Sequence, residues 1–285
     1  MKLYIVADME GATGITHRDQ LLDPGGERYR AGCRMLTGDV NAVVEGAVAE
    51  GVESVLVSEG HAHMRNVLVE ELHPAAQVVR GPAQWSQKPL CQVAGLSEDF
   101  DLGVFVGFHS RAGTPGGLLA HTWAGAVVHR LSINGHEAGE TYINAALLGA
   151  QGVPVGLVCG ADELAAEAQA DLPGVGVAVL KHTMGRQLAA CWGPKRTAPL
   201  IREAAAEAVR RHRAGAFQPL RVASPSRVDI EVKDDHQADR MAGVPGVQRV
   251  DRRALAVEAP DVTQALSIAW RAVQEVFHKP DGWLA

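Results

Sequence analysis

Apolar residues in this chain fall into short unbroken runs, separated by longer stretches in which they recur every three or four positions. The runs at 1–7 (MKLYIVA), 54–57 (SVLV), 100–108 (FDLGVFVGF), 127–133, 153–159 and 175–180 read as buried strands. Helical spacing marks 36–50 (LTGDVNAVVEGAVAE), which Gly51 stops, then 141–150 (TYINAALLGA), 161–171 and the amphipathic segment 199–213. Pro199 is expected at the start of that last helix, where a missing N–H does no harm. An irregular stretch containing Pro24-Gly25-Gly26 separates the first strand from the first helix. Strands and helices alternate, which predicts an α/β fold with a largely parallel central sheet flanked by helices.

Beyond Ala214 the pattern changes. The segment 217–226 (FQPLRVASPS) holds two prolines and little periodicity, as a linker would. Strand patterns follow at 227–232 (RVDIEV) and 255–258, and a helix pattern at 262–277. The expected division is 1–216 as the α/β domain carrying the chemistry and 217–285 as a smaller C-terminal α+β module.

Composition narrows the class. With 285 residues, 47% hydrophobic and 21% charged, the chain suits a globular protein with one large or two modest domains. Twenty-seven basic and 33 acidic residues leave a net charge of −6, which points away from nucleic acid and anionic membranes. No apolar run approaches the ~18 residues of a membrane span. The opening strand pattern lacks the basic and apolar regions of a secretion signal, so a cytoplasmic location is expected. Cys33, Cys91, Cys159 and Cys191 are scattered without a CxxC pair, as free thiols would be. The 12 histidines stand out, because imidazole is the commonest metal ligand and acid–base group.

Several of these groups sit where strands end. The first run closes on Asp8-Met9-Glu10, the second on Glu59-Gly60-His61-Ala62-His63, and the third on His109-Ser110-Arg111. The carboxyl ends of parallel strands share one edge, where ligand sites form. Asp8, Glu10, His61 and His109 therefore converge, and two close carboxylates need a positive partner: a proton, an arginine or a metal ion. Mixed carboxylate and imidazole donors suit a borderline divalent cation such as zinc. From the residues alone a second reading stands beside this one, in which Asp8 and Glu10 cap the following turn and the histidines are structural.

A series of motifs in register goes further: "DMEG" (8–11), "VLVSEGHAHMRN" (55–66), "HP" at 73–74, "GFHSRAGTPGG" (107–117), "HT" at 121–122 and "INGHEAGETYINA" (133–145). On these the chain resembles the bacterial D-aminopeptidase family of zinc peptidases. The resemblance implies two zinc ions per subunit, held by Asp8, Glu10, His61, His109 and Glu140, with Asp8 bridging them. It also implies that His121 acts beside the metals as nucleophile or acid–base group. Arg111 and Asn144 lie within matched motifs and would orient substrate or ligands, whereas His63, His129 and His136 have no counterpart. The implied substrate is a short peptide with a free N-terminal D-residue such as D-alanine. The implied assembly is a ring-like homo-oligomer, a decamer of two stacked pentamers. Two other classes share such donor sets: a dimetal phosphohydrolase, and a non-catalytic metal-containing peptide-binding or transport-accessory protein.

Overall fold

The N-terminal run forms β1 (Lys2–Ala7), buried along all but its first residue. A continuous apolar strand must be covered on both faces. Leu3, Ile5 and Ala7 enter one hydrophobic layer, Tyr4 and Val6 the other. The computed structural model describes residues 1–23 and 26–277; Pro24-Gly25 of the irregular stretch and 278–285 of the C-terminal module lie outside the described residues.

After β1 come α1 (Glu27–Ala49), β2 (Ser54–Glu59), β3 (Ala76–Val79) and β4 (Leu102–Phe108). Then follow β5 (Val128–Ile133), β6 (His136–Glu137), α2 (Glu140–Ala150), β7 (Val155–Ala161) and α3 (Asp162–Asp171). The chain continues through β8 (Gly176–Gly185), β9 (Leu188–Cys191), α4 (Pro194–Arg213), β10 (Ser226–Val232), α5 (Asp235–Ala242), β11 (Val247–Asp251), β12 (Ala254–Ala259) and α6 (Val262–Phe277).

The main sheet has seven strands in the order β3-β2-β1-β4-β7-β8-β9. All its pairs are parallel except the edge pair β8–β9. Helices α1 and α4 cover the Leu3/Ile5/Ala7 face. On the other face α2 and α3 join a core shared with the second sheet and α6. That second sheet is antiparallel, in the order β11-β12-β10-β5-β6. It pairs Val228 of β10 with Ile133 of β5. The strand pattern at 127–133 thus belongs to this sheet, which draws on both sides of the expected boundary at 216/217. Strand β10 alternates buried Val228, Ile230 and Val232 with half-buried polar residues, as a sheet covered on one face requires. No helix among the described residues is long and apolar enough to cross a membrane.

Three helices differ from expectation, and the short strands β3, β6, β9 and β11 have no clear pattern in the sequence. Helix α1 starts at Glu27 rather than near 36, because Arg28, Arg30 and Arg34 on its first turns interrupt the apolar stripe. Helix α4 starts at Pro194, and Pro199 lies inside it. The i−4 partner that Pro199 lacks is the carbonyl of Lys195, an exposed residue, so the lost bond falls on the solvent side of the helix. Helix α5 carries too short an apolar stripe to be seen by periodicity, though Asp234 and Gln237 form a capping box at its start.

Candidate metal centre

Strands β2, β1 and β4 are neighbours, so the residues after their carboxyl ends emerge side by side. Asp8 and Glu10 leave β1, His61 comes after β2, and His109 after β4. Glycine permits the close packing of these turns. A Cβ on Gly11 would lie 1.7 Å from the Phe108 carbonyl oxygen, and one on Gly107 (φ +73°) would lie 2.1 Å from that of Asp8. The Gly11 N–H donates to the Gly107 carbonyl at 2.8 Å, tying the acidic turn to the histidine turn. Glu140 arrives from elsewhere, as the first residue of α2, and His121 comes from the loop between β4 and β5.

The donors form two groups that share one residue. Asp8 Oδ1 lies 3.3 Å from His61 Nδ1, which is 3.0 Å from Glu10 Oε2. Asp8 Oδ2 lies 3.2 Å from His109 Nε2, which is 3.6 Å from Glu140 Oε1. His121 Nε2 stands 3.9 Å from Glu10 Oε1 and 4.0 Å from Glu140 Oε1, and its ring stacks on His109 with centroids 4.0 Å apart. Asp8, Glu10, His61, His109 and Glu140 are all buried, while His121 is partly open.

Each imidazole is held from behind. His61 Nε2 meets the Leu21 carbonyl at 2.9 Å, His109 Nδ1 that of Ser110 at 3.0 Å, and His121 Nδ1 that of Leu119 at 2.9 Å. A carbonyl only accepts, so each of these nitrogens carries a proton, and the opposite nitrogen turns inward, where it can bind a metal once its own proton leaves. Three carboxylates and three inward-turned imidazole nitrogens then face one another. Asp8 Oδ2, Glu10 Oε2 and His109 Nε2 are buried without an aligned hydrogen bond, despite their short separations. Such a set is complementary to a cation, and its nitrogen and oxygen donors fit zinc. Two overlapping triads, Asp8–Glu10–His109 and His109–His121–Glu140, each bring ligand atoms within 4.8 Å of one another.

Protons alone would otherwise fill this gap. Burial disfavours charge on Asp8, yet contact with His109 and His61 outweighs it and holds the carboxyl below its usual range. Glu10 is lowered likewise, with His61 overcoming burial. Burial opposes protonation of both imidazoles, but Glu10 and Asp8 hold His61 well above its ordinary value, and Asp8 and Glu140 raise His109 to about 10. Burial pushes Glu140 up to about 7, against the pull of His109. Burial, reinforced by the charge on His109, lowers His121 to about 4.

A cavity of about 230 Å³ opens over the centre, walled by Leu22, Met64, Trp123 and, from α6, Trp270. The C-terminal segment therefore shapes the pocket. Ala62, Met64, Cys91 and Trp123 on its lining hold positive φ, the kind of strained backbone that concentrates at functional sites. Sequence reasoning missed Gln92, whose Nε2 donates to Glu140 Oε2, and whose Oε1 accepts from Asn144 Nδ2 at 2.5 Å. A buried amide clamp of this kind leaves no periodic signal. Asn144 is thus linked to Glu140 through Gln92. Arg111 turns away to Glu137 and Glu167, and His63, His129 and His136 are exposed and outside the centre.

A largely parallel α/β sheet with a carboxylate–imidazole centre at its strand ends is the frame of a metallohydrolase, and the profile of the D-aminopeptidase family (peptidase family M55) matches residues 1–270. The chain belongs to that family. It is 33% identical over 266 residues to a D-aminopeptidase of Bacillus subtilis (strain 168), across 93% of this chain and 94% of that protein. Its structure is similar to that of the Zn-dependent D-aminopeptidase DppA from Bacillus subtilis, described as a self-compartmentalizing protease. The TM-score is 0.91 at 30% identity, covering 98% of this chain and 99% of that one.

Proposed function

We propose that this protein releases a free N-terminal D-residue, D-alanine first, from short peptides, using two zinc ions. Asp8, Glu10 and His61 would hold one ion, and Asp8, His109 and Glu140 the other. The observation that carries this reading is the sharing of Asp8, one oxygen facing each donor group. When bound, the zinc ions supply Lewis acidity toward the scissile carbonyl and toward water. His121 is the proton carrier: neutral at physiological pH, it turns a bare Nε2 toward Glu10 and Glu140 while Leu119 fixes its other nitrogen. It takes a proton at Nε2 and returns it to the leaving amine. The acidic cavity favours a substrate with a free α-ammonium group, and its indole and methionine walls favour an uncharged side chain.

Phosphoester hydrolysis is the weaker reading. Cations around the site are already engaged, Arg111 by Glu137 and Glu167, and the buried Lys88 and Lys181 by backbone carbonyls. All six functional side chains lie within 1–216, which we assign as the catalytic portion, with 217–277 adding three strands of the second sheet and a pocket wall. Ring assembly as a decamer and a cytoplasmic setting complete the proposal; the first is supported by the self-compartmentalizing relative, the second by four free cysteines.

The test is metal analysis combined with alanine release from matched short peptides. About two zinc ions per chain are expected, with D-alanine released, L-alanine released more slowly, and N-acetylated peptide left intact. A chain that takes up no zinc on reconstitution, or prefers L-peptides or phosphoesters, refutes the reading.

A further inference from the structure

Lys181, on β8, has its side chain fully buried. Its Nζ donates to three backbone carbonyls of the turn after β1: Glu10 at 2.7 Å, Ala12 at 2.8 Å and Ile15 at 2.5 Å. An ammonium has three N–H donors, and here each meets one acceptor. Burying a charge is costly unless it is bonded in this way, so an apolar residue would be the ordinary occupant of such a position. Nearby, Thr13 is tied from another side. Its N–H and hydroxyl donate to Asp39 Oδ2 and Oδ1, both at 2.7 Å, and its hydroxyl oxygen lies 2.8 Å from that of Thr197. The turn is strapped between a cation that gathers its carbonyls and an anion that gathers its donors. One of those carbonyls belongs to Glu10 itself, so the ammonium acts one residue's backbone away from a candidate ligand carboxylate.

We propose that Lys181 is a positioning residue for the metal centre: it sets the backbone of Glu10 so that the carboxylate reaches the ion on the His61 side. It neither touches substrate nor ligates metal. Asp8 is placed independently, by its N–H bond to Val106 on β4 at 2.8 Å. Glu140 is placed from α2 and Gln92. Loss of Lys181 therefore loosens one half of the centre and spares the other. This rests on the two-ion reading above.

The test is stepwise zinc affinity of the full-length protein, by competition with a chromophoric chelator, for wild type, K181M and the milder K181Q, with circular dichroism as the check on folding. The expected result is a loss of ~10–100-fold for one ion, the usual effect of removing an outer-sphere support, with the other changed by less than about threefold. In a Glu10→Ala background K181M adds no further loss, because the group it positions is gone. Two ions retained at wild-type affinity in folded variants, or both weakened by the same factor, overturn the role of Lys181 and leave the two-ion reading standing. Wild type binding fewer than two ions overturns that reading and the role with it. Failure of both variants to fold, with or without zinc, assigns Lys181 to folding and refutes the positioning role.

Discussion

Gly11→Ala is the sharpest perturbation of the turn that carries Asp8 and Glu10. A Cβ at Gly11 falls 1.7 Å from the Phe108 carbonyl oxygen and 2.8 Å from the Gly107 carbonyl carbon. Carbon and oxygen rest at roughly 3.3–3.6 Å, so the two segments must part by roughly 1.6 Å. Both contacts are backbone, and no flexible side chain can yield. The Gly11–Gly107 hydrogen bond at 2.8 Å must break, or the turn must pivot and carry Glu10 with it. Catalytic groups tolerate displacements of about 0.5 Å, and a 1 Å error costs ~10²-fold in rate. The expected outcome is a loss of at least ~10²-fold in turnover with weakened zinc binding, at an overpacking cost of about 1–3 kcal/mol that leaves the sheet folded. Gly14→Ala is the control in the same turn. No atom lies within 4 Å of its Cβ and φ is +72°, so only left-handed strain of about 1–2 kcal/mol is added. Thermal melting, zinc content and D-alanine release on both variants decide the matter. Gly11→Ala with wild-type zinc content and turnover would refute the close-packed turn as the determinant of the centre.

Asp8→Ala should abolish binding of both ions, since its two oxygens face separate donor groups; equilibrium zinc titration that still finds one tight ion contradicts the shared-ligand reading. His121→Ala should lose ~10²–10⁴-fold in turnover while keeping both metals, and loss of metal would make it a ligand. Zinc uptake should release protons, because His61 is held above its ordinary range and His109 at about 10 in the metal-free protein. About two protons should appear per chain at pH 7, with a further fraction from Glu140 near 7, and zinc affinity should rise with pH; calorimetry in buffers of different ionisation enthalpy reads the number. In the metal-free protein the raised His109 adds stability that is full below about 6.5 and is lost as pH rises through about 10. Melting temperatures of chelator-treated protein that climb from pH 7 to 10 would contradict this.

Local sequence determined the strands and the groups that emerge at their ends. A run such as MKLYIVA is apolar at every position where a doubly covered strand must be, and the residue after it emerges at the sheet edge. Asp8, Glu10, His61 and His109 were legible for that reason, because periodicity and punctuation are short-range. Glu140 and His121 became legible only through the motif series, since a first-turn acid and a loop histidine have ordinary explanations taken singly. Tertiary structure alone decided the rest. The pairing of β5 with β10 joins residues such as Ile133 and Val228, and no local pattern specifies the partner of a strand. The Gln92 clamp and the Lys181 tripod join side chains to groups far along the chain. A buried lysine in a strand resembles an exposed one until the fold closes over it, because its environment is made by other segments and its own neighbours do not record it.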